Sequence, residues 1–145
     1  MQIPWYIPAI GAAIVWGIHY PLIDFAMKRI SIYGVLLLGV VPIFLLMPVF
    51  LRELSGDIET FKSLPGKEQW AILTVSLTST AGAVLIYLSI SNKNATLASL
   101  IEITYPVFVV FFAYLLFRQI HINLSVIFGG LMILIGAGLI IYNNQ

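Results

Sequence analysis

The chain has 145 residues, of which 61% are hydrophobic and only 9% charged, and its formal net charge is +1. Soluble domains carry about 45–50% apolar and about 25% charged residues, so this chain has too few polar side chains to cover a water-soluble fold and is a membrane protein. The near-neutral charge argues against nucleic acid as a partner, and the lack of cysteine excludes disulfides, thiolate catalysis and cysteine-based metal sites.

The few charges fall between apolar stretches. Asp, Glu, Lys and Arg are missing from 30–51, 69–92 and 119–145, while 94–117 holds only Glu102 and 4–27 only Asp24. A helix needs roughly 20 residues, at about 1.5 Å each, to cross about 30 Å of hydrocarbon. Five stretches meet that length, at roughly 4–26, 32–51, 70–91, 96–117 and 123–142. Strands of a membrane barrel would be about ten residues long and would alternate apolar with polar. Runs such as "YGVLLLGVVPIFLLMPVF" do not alternate. The predicted class is therefore all-α integral membrane with five transmembrane helices. The start, "MQIPWYIP", has no basic n-region, so the first stretch reads as a retained helix rather than a signal peptide.

That first helix contains "VWGIHYPLIDFAMKR". Trp16, Tyr20 and Asp24 repeat at four-residue steps, and His19 sits beside them. Pro21 lacks an N–H and its ring clashes with the Gly17 carbonyl. The pair predicts a local bend and a carbonyl left to accept from a ligand or water. Two readings of His19 are open: a group that binds substrate or shares a proton with a carboxylate, or a hydrogen-bonded core imidazole. Asp24 lies near the span end and is expected to face Lys28 at i+4.

A short turn, "ISIY", leads to helix 2, where Pro42 and Pro48 are expected to mark bends. The long connection "RELSGDIETFKSLPGKEQ", 52–69, carries mixed charge and reads as a solvated loop, with or without a short surface helix. Trp70 follows at the depth where aromatic belts form, and Trp5, Tyr6 and Tyr142 fit that role at other span ends.

Helix 3 places Thr74, Thr78, Gly82 and Ser89 on one face and Ser76, Thr80, Ala83 and Tyr87 on another. Such hydroxyls commonly bond to their own backbone or to a neighbouring helix. Tyr87 equally fits a cavity wall.

The turn "SNKNA" opens helix 4, "TLASLIEITYPVFVVFFAYLLF", with Glu102 at mid-span. A carboxylate there costs roughly 2.5–3.5 kcal/mol on insertion scales. Apolar surroundings favour the protonated form of a carboxyl group, which makes Glu102 a candidate proton-binding residue. Ser99, Glu102, Pro106, Val109 and Ala113 recur at steps of three and four, a face of mostly small side chains with a bend at the proline. This suits a helix lining a cavity; a structural, interfacial Glu that snorkels or pairs is the other reading. After "RQIHIN", helix 5 carries Gly129 and Gly136 seven apart, and Gly130 and Ala137 likewise. That seam of small residues is a contact signature, serving the bundle or a second subunit.

Short connections make successive helices antiparallel neighbours, and 1–145 reads as one domain. With five spans the termini lie on opposite sides. The side of the N-terminus has four basic residues, Arg52, Lys62, Lys67 and Arg118, and the other has three, Lys28, Arg29 and Lys93. Orientation follows such counts, and this one is almost balanced. Either other factors fix the orientation or copies insert both ways.

No HExxH, GxSxG or Walker loop is present. His19 and His121 are too far apart in sequence for a metal-ligand motif. Asp24 is the one aspartate near a span, so an intramembrane pair of aspartates is missing. The expectation is no enzyme, no cofactor and no metal.

With the helices placed, "VWGIHYPLIDFAMK" resembles the first-helix signature of the EamA-type transporters of the drug/metabolite transporter superfamily. "NATLASLIEITYPVFVVFFAYLLF" followed by "GGLMILIGAGLIIY" resembles their ending: an alanine-rich helix start, a mid-helix proline and a glycine-rich last helix. Many members have a Leu-Gly-Glu-like step after the proline-containing helix. Here the aligned residues are Phe117, Arg118 and Gln119, so a role carried by that Glu does not transfer, and Glu102 is not a general family feature. Typical members have ten helices in two inverted five-helix halves. The resemblance thus implies that this chain, one half, assembles as an antiparallel homodimer or with a homologous five-helix chain. Inverted repeats hold substrate at the mid-membrane interface and alternate its access.

The resulting expectation is a secondary transporter of small metabolites or drugs, multi-pass in a prokaryotic cell (inner) membrane, with a small-molecule substrate and lipid as partners. Trp16, His19, Tyr20 and Tyr87 would shape the cavity, with Pro106 at its bend, and Glu102 and Tyr105 would handle charge and protons. The alternative is a non-transporting membrane subunit or scaffold that pairs with another membrane protein through its glycine seam. It predicts one fixed orientation and a heteromeric partner.

Overall fold

The computed structural model describes residues 3–120 and 122–144, so His121 lies outside the described residues. It contains α1 (Tyr6–Met27), α2 (Ile32–Ser63), α3 (Gly66–Asn92), α4 (Ala95–Glu102), α5 (Tyr105–Phe117) and α6 (Leu124–Asn143), with no strand among the described residues. Five segments are long and apolar enough to cross a membrane: Tyr6–Met27, Ile32–Leu51, Gly66–Asn92, Ala95–Phe117 and Leu124–Asn143. All five predicted spans are present, within a few residues of their expected ends.

The chain divides into two compact units, Met1–Pro21 with Asn92–Gln145, and Leu22–Ser91. Among the described residues, few large side chains are buried in either. No more than 6% of the most apolar window of any span is buried within the chain. Such a surface is stable only against hydrocarbon or protein.

In the unit Leu22–Ser91 the buried residues are Ile23, Val35, Tyr87 and Ile90. They lie at the end of α1, the start of α2 and the end of α3. Just below Ile23, Lys28 Nζ meets Asp24 Oδ2 at 3.1 Å, the expected i+4 pair. Arg29 stacks over Phe25, 3.5 Å from the ring centroid, and donates to the Phe25 carbonyl at 2.9 Å.

Helix α2 corrects one expectation. The charged connection is not a loop: α2 continues through it to Ser63, 32 residues in all. Residues 52–63 add roughly 18 Å beyond the span. Glu53, Leu54, Glu59 and Lys62 are good helix formers, and Gly56 is the one strong dissenter. The end is set by Pro65, which pushes Leu64 to an extended φ −72°, ψ 151°. Gln69 Nε2 then reaches back to the carbonyls of Phe61 and Leu64, at 3.1 and 3.0 Å, covering the open end of α2. Pro42 and Pro48 lie inside α2 without ending it.

The hydroxyls of α3 follow the packing account. Thr74, Ser76, Thr78 and Thr80 donate to the carbonyls of Ala71, Leu73, Thr74 and Ser76 in their own helix, at 2.6–3.0 Å. Each donor is thereby satisfied without water.

In the other unit, α4 packs against α6. Its buried residues are three alanines, Ala95 and Ala98 on α4 and Ala137 on α6, small enough for backbones to approach. Asn94 Oδ1 accepts from Leu97 N and Asn123 Oδ1 from Val126 N, capping α4 and α6. Lys93 Nζ donates to the Asn144 carbonyl at 2.9 Å, tying the α3–α4 turn to the end of α6. Arg118, which stands where the family pattern has glycine, closes α5 in the left-handed region at φ 56°. The backbone turn that glycine favours is thus made by Arg118.

The glycine seam of α6 splits in two. A Cβ on Gly130 would meet Val107 Cγ2 of α5 at 3.5 Å, whereas Gly129 and Gly136 face open space. Gly130→Ala is expected to be tolerated. Gly130→Leu must push Val107 aside and is expected to cost about 1–3 kcal/mol, read as a lower unfolding temperature in detergent.

Candidate functional site

The fourth span, Ala95–Phe117, is not one helix. α4 stops at Glu102 and α5 starts at Tyr105 with Pro106 in its first turn. The bend expected at the proline takes the form of a two-residue link, Ile103 and Thr104, both right-handed. The ladder tightens there: Thr104 N donates to Ile101 O and Val107 N to Thr104 O, each at 3.1 Å and three residues back. Pro106 has no N–H, so the Glu102 carbonyl lacks its i+4 donor. Val107 N, the i+4 donor of the Ile103 carbonyl, is engaged with Thr104 instead. Two acceptors are released at mid-span, next to the single intramembrane glutamate.

The Glu102 side chain is half-buried and held from α1. The Tyr20 hydroxyl donates to Glu102 Oε2, across 82 residues of sequence. Such a charge-assisted bond is worth about 1.5–3 kcal/mol. Glu102 pairs with no Lys, Arg or His among the described residues, where the one ion pair is Lys28–Asp24. Among the described residues no hydrogen bond reaches its Oε1.

Tyr20 belongs to an aromatic group on one face of α1. The Trp16 ring lies 5.7 Å from Tyr20 at an interplanar angle of 32°, and 5.1 Å from His19, edge-on at 82°. His19 and Tyr20 are half-buried, and Trp16 is 52% exposed. α1 runs unbroken through Pro21, which keeps Trp16 and Tyr20 one turn apart on the same face.

Of the expected site residues, Trp16, His19, Tyr20 and Glu102 come together, with Pro106 just beyond the link. Tyr105 opens α5 and is 60% exposed, with no hydrogen bond to Glu102. Tyr87, 8% exposed, is buried in the other unit. Sequence reasoning missed the freed carbonyls of Glu102 and Ile103. The signal was present in Pro106, whose missing N–H falls on Glu102. Among the described residues no cluster of His, Cys, Asp or Glu has metal-ligand grouping.

An all-helical chain with five apolar spans and one intramembrane glutamate, held by a tyrosine beside a broken helix, has the architecture of a multi-pass membrane transporter. A family comparison agrees: the model of the EamA-like transporter family matches residues 3–142, nearly the whole chain. The chain belongs to the EamA-like transporter family, a family of small-solute membrane transporters rather than of enzymes. No curated protein and no solved structure matches it significantly.

Proposed function

We propose that this chain is a proton-coupled secondary transporter of small metabolites or drugs, acting by alternating access as an antiparallel pair of copies. Each copy is read as one domain over 1–145, placed in the inner membrane of a prokaryotic cell. The observation that carries the reading is the Tyr20–Glu102 hydrogen bond beside the α4–α5 link. An ionised carboxylate in a span is costly unless a donor or a cation meets it. Tyr20 supplies one donor, and a proton or a substrate supplies the rest. Because Glu102 cannot cheaply hold both, binding of one favours release of the other. Trp16 and His19 extend the wall beside it, and Tyr105 and Pro106 are proposed as further cavity residues.

Two features support the pairing. Typical family members carry two inverted five-helix halves, and the residues matched here, 3–142, correspond to one. The near-equal basic counts of four and three leave neither orientation favoured. Gly129 and Gly136, open within the chain, are the proposed contact with the second copy. Leu at either position is expected to leave the monomer folded and to shift purified protein from dimer to monomer in size-exclusion light scattering.

Uptake into proteoliposomes under a pH gradient, over a panel of small solutes, tests the transport reading. Tyr20→Phe, which removes the donor and keeps the ring, is expected to lower gradient-driven uptake by about tenfold or more. Its unfolding temperature is expected to fall by several degrees, as one lost hydrogen bond implies, with the protein still folded. Undiminished uptake would remove Tyr20 from the mechanism.

A further inference from the structure

The α4–α5 link offers more than a place for a proton. Among the described residues, three oxygen acceptors in two consecutive residues lack their usual donors: no hydrogen bond reaches Glu102 Oε1, and the Glu102 and Ile103 carbonyls miss their i+4 partners. The last two miss those donors because Pro106 has no N–H and Val107 N turns to Thr104. Beside them stands the aromatic group, with Trp16 in ring contact with Tyr20 and half-exposed. Breaks of this kind leave carbonyls at the C-terminal end of a half-helix, where the dipole is negative and cations are favoured.

We infer that the Glu102–Ile103 link binds the primary ammonium group of a small amine substrate, with the amine's apolar body against the Trp16–Tyr20 aromatic face. This rests on the reading of Glu102 as the transport carboxylate. A primary ammonium carries one positive charge and three N–H donors, which match one carboxylate oxygen and two carbonyls. A quaternary ammonium has the charge but no donor, so it satisfies the rings and leaves the carbonyls unmet. A hard metal ion takes about six or more oxygens, and no acidic cluster supplies them among the described residues. Neutral alcohols supply no charge for Glu102.

The test is calorimetric binding to the purified full-length chain in lipid nanodiscs, with four probes: 2-phenylethylamine, its N,N,N-trimethyl analogue, 2-phenylethanol and sodium chloride. 2-Phenylethylamine is expected to bind, its trimethyl analogue at least about tenfold more weakly, and the alcohol and sodium not at all. Glu102→Gln is expected to weaken the amine by about 100-fold. Pro106→Ala restores the missing N–H and is expected to weaken it by about tenfold while leaving the alcohol blank. Equal binding of the trimethyl analogue, or binding of sodium without the amine, overturns the inference. So does wild-type amine affinity in Pro106→Ala. Should a variant fail to fold, the four-probe comparison on the wild type still decides.

The two readings separate cleanly. Glu102-dependent, pH-driven uptake of other solutes with no amine binding overturns the inference and keeps proton-coupled transport. Glu102-dependent amine binding without any pH-driven uptake upholds the inference and removes the proton coupling.

Discussion

Glu102→Gln is expected to abolish pH-driven accumulation of a neutral substrate while sparing its passive exchange. The substitution keeps the size of the side chain, and its amide oxygen still accepts from Tyr20. The α1-to-α4 bond seen in the structure can therefore persist, and the fold should be little changed. What is lost is the ability to take up and release a proton. In proteoliposomes, a gradient of one pH unit stores about 1.4 kcal/mol per proton, enough for about tenfold accumulation at one proton per substrate. The wild type should approach that ratio and the variant should equilibrate near unity. Counterflow, in which internal unlabelled substrate draws labelled substrate inward, needs no proton and should survive for a neutral substrate. Accumulation by the variant at the wild-type ratio would leave Glu102 with a structural role only. Loss of both accumulation and counterflow, with the protein still folded, would make it a binding residue rather than a coupling one.

The spans were legible in the sequence because charge placement is nearly decisive in a membrane, where each misplaced charge costs kilocalories. The reading failed where that penalty stops. Residues 52–63 are charged and lie outside hydrocarbon, so their composition separates water from lipid but not loop from helix. The tie was broken by local helix formers and by Pro65 as the stop. Prolines were harder. Pro21 and Pro106 both sit inside apolar spans, yet α1 is continuous and the fourth span is broken. Pro21 is preceded at i−4 by Gly17, which tolerates distortion. Pro106 follows Ile103 and Thr104, both β-branched and poor at holding a helix.

The site was legible only by type. An intramembrane carboxylate and a cluster of aromatics each announce themselves in sequence, and both belong to the candidate site. Their pairing does not, because a contact between Tyr20 and Glu102 spans 82 residues and leaves no periodic trace. The glycine seam shows the same limit. Gly129 and Gly130 are adjacent letters, but only Gly130 touches α5, because a helix turns about 100° per residue and gives them different faces.

Charge counting leads to the second large effect. With four basic residues on one side and three on the other, the orientation rule favours neither side, and the proposed antiparallel pair requires insertion both ways. Reporter fusions at the N-terminus that work on opposite sides of the membrane should both be active. Four added lysines after Ser91 would turn four against three into four against seven and drive copies one way. Lys28→Gln with Lys93→Gln would leave four against one and drive them the other way. Each biased variant alone is expected to lose transport almost completely, because an antiparallel pair needs both orientations. Co-expression of the two should restore it, since each supplies the half the other lacks. None of these positions lies in the aromatic–carboxylate group, so loss followed by rescue cannot come from damage to that site. A variant held in one orientation that still transports at the wild-type rate would overturn the inverted pair and favour a parallel assembly or a different five-helix partner.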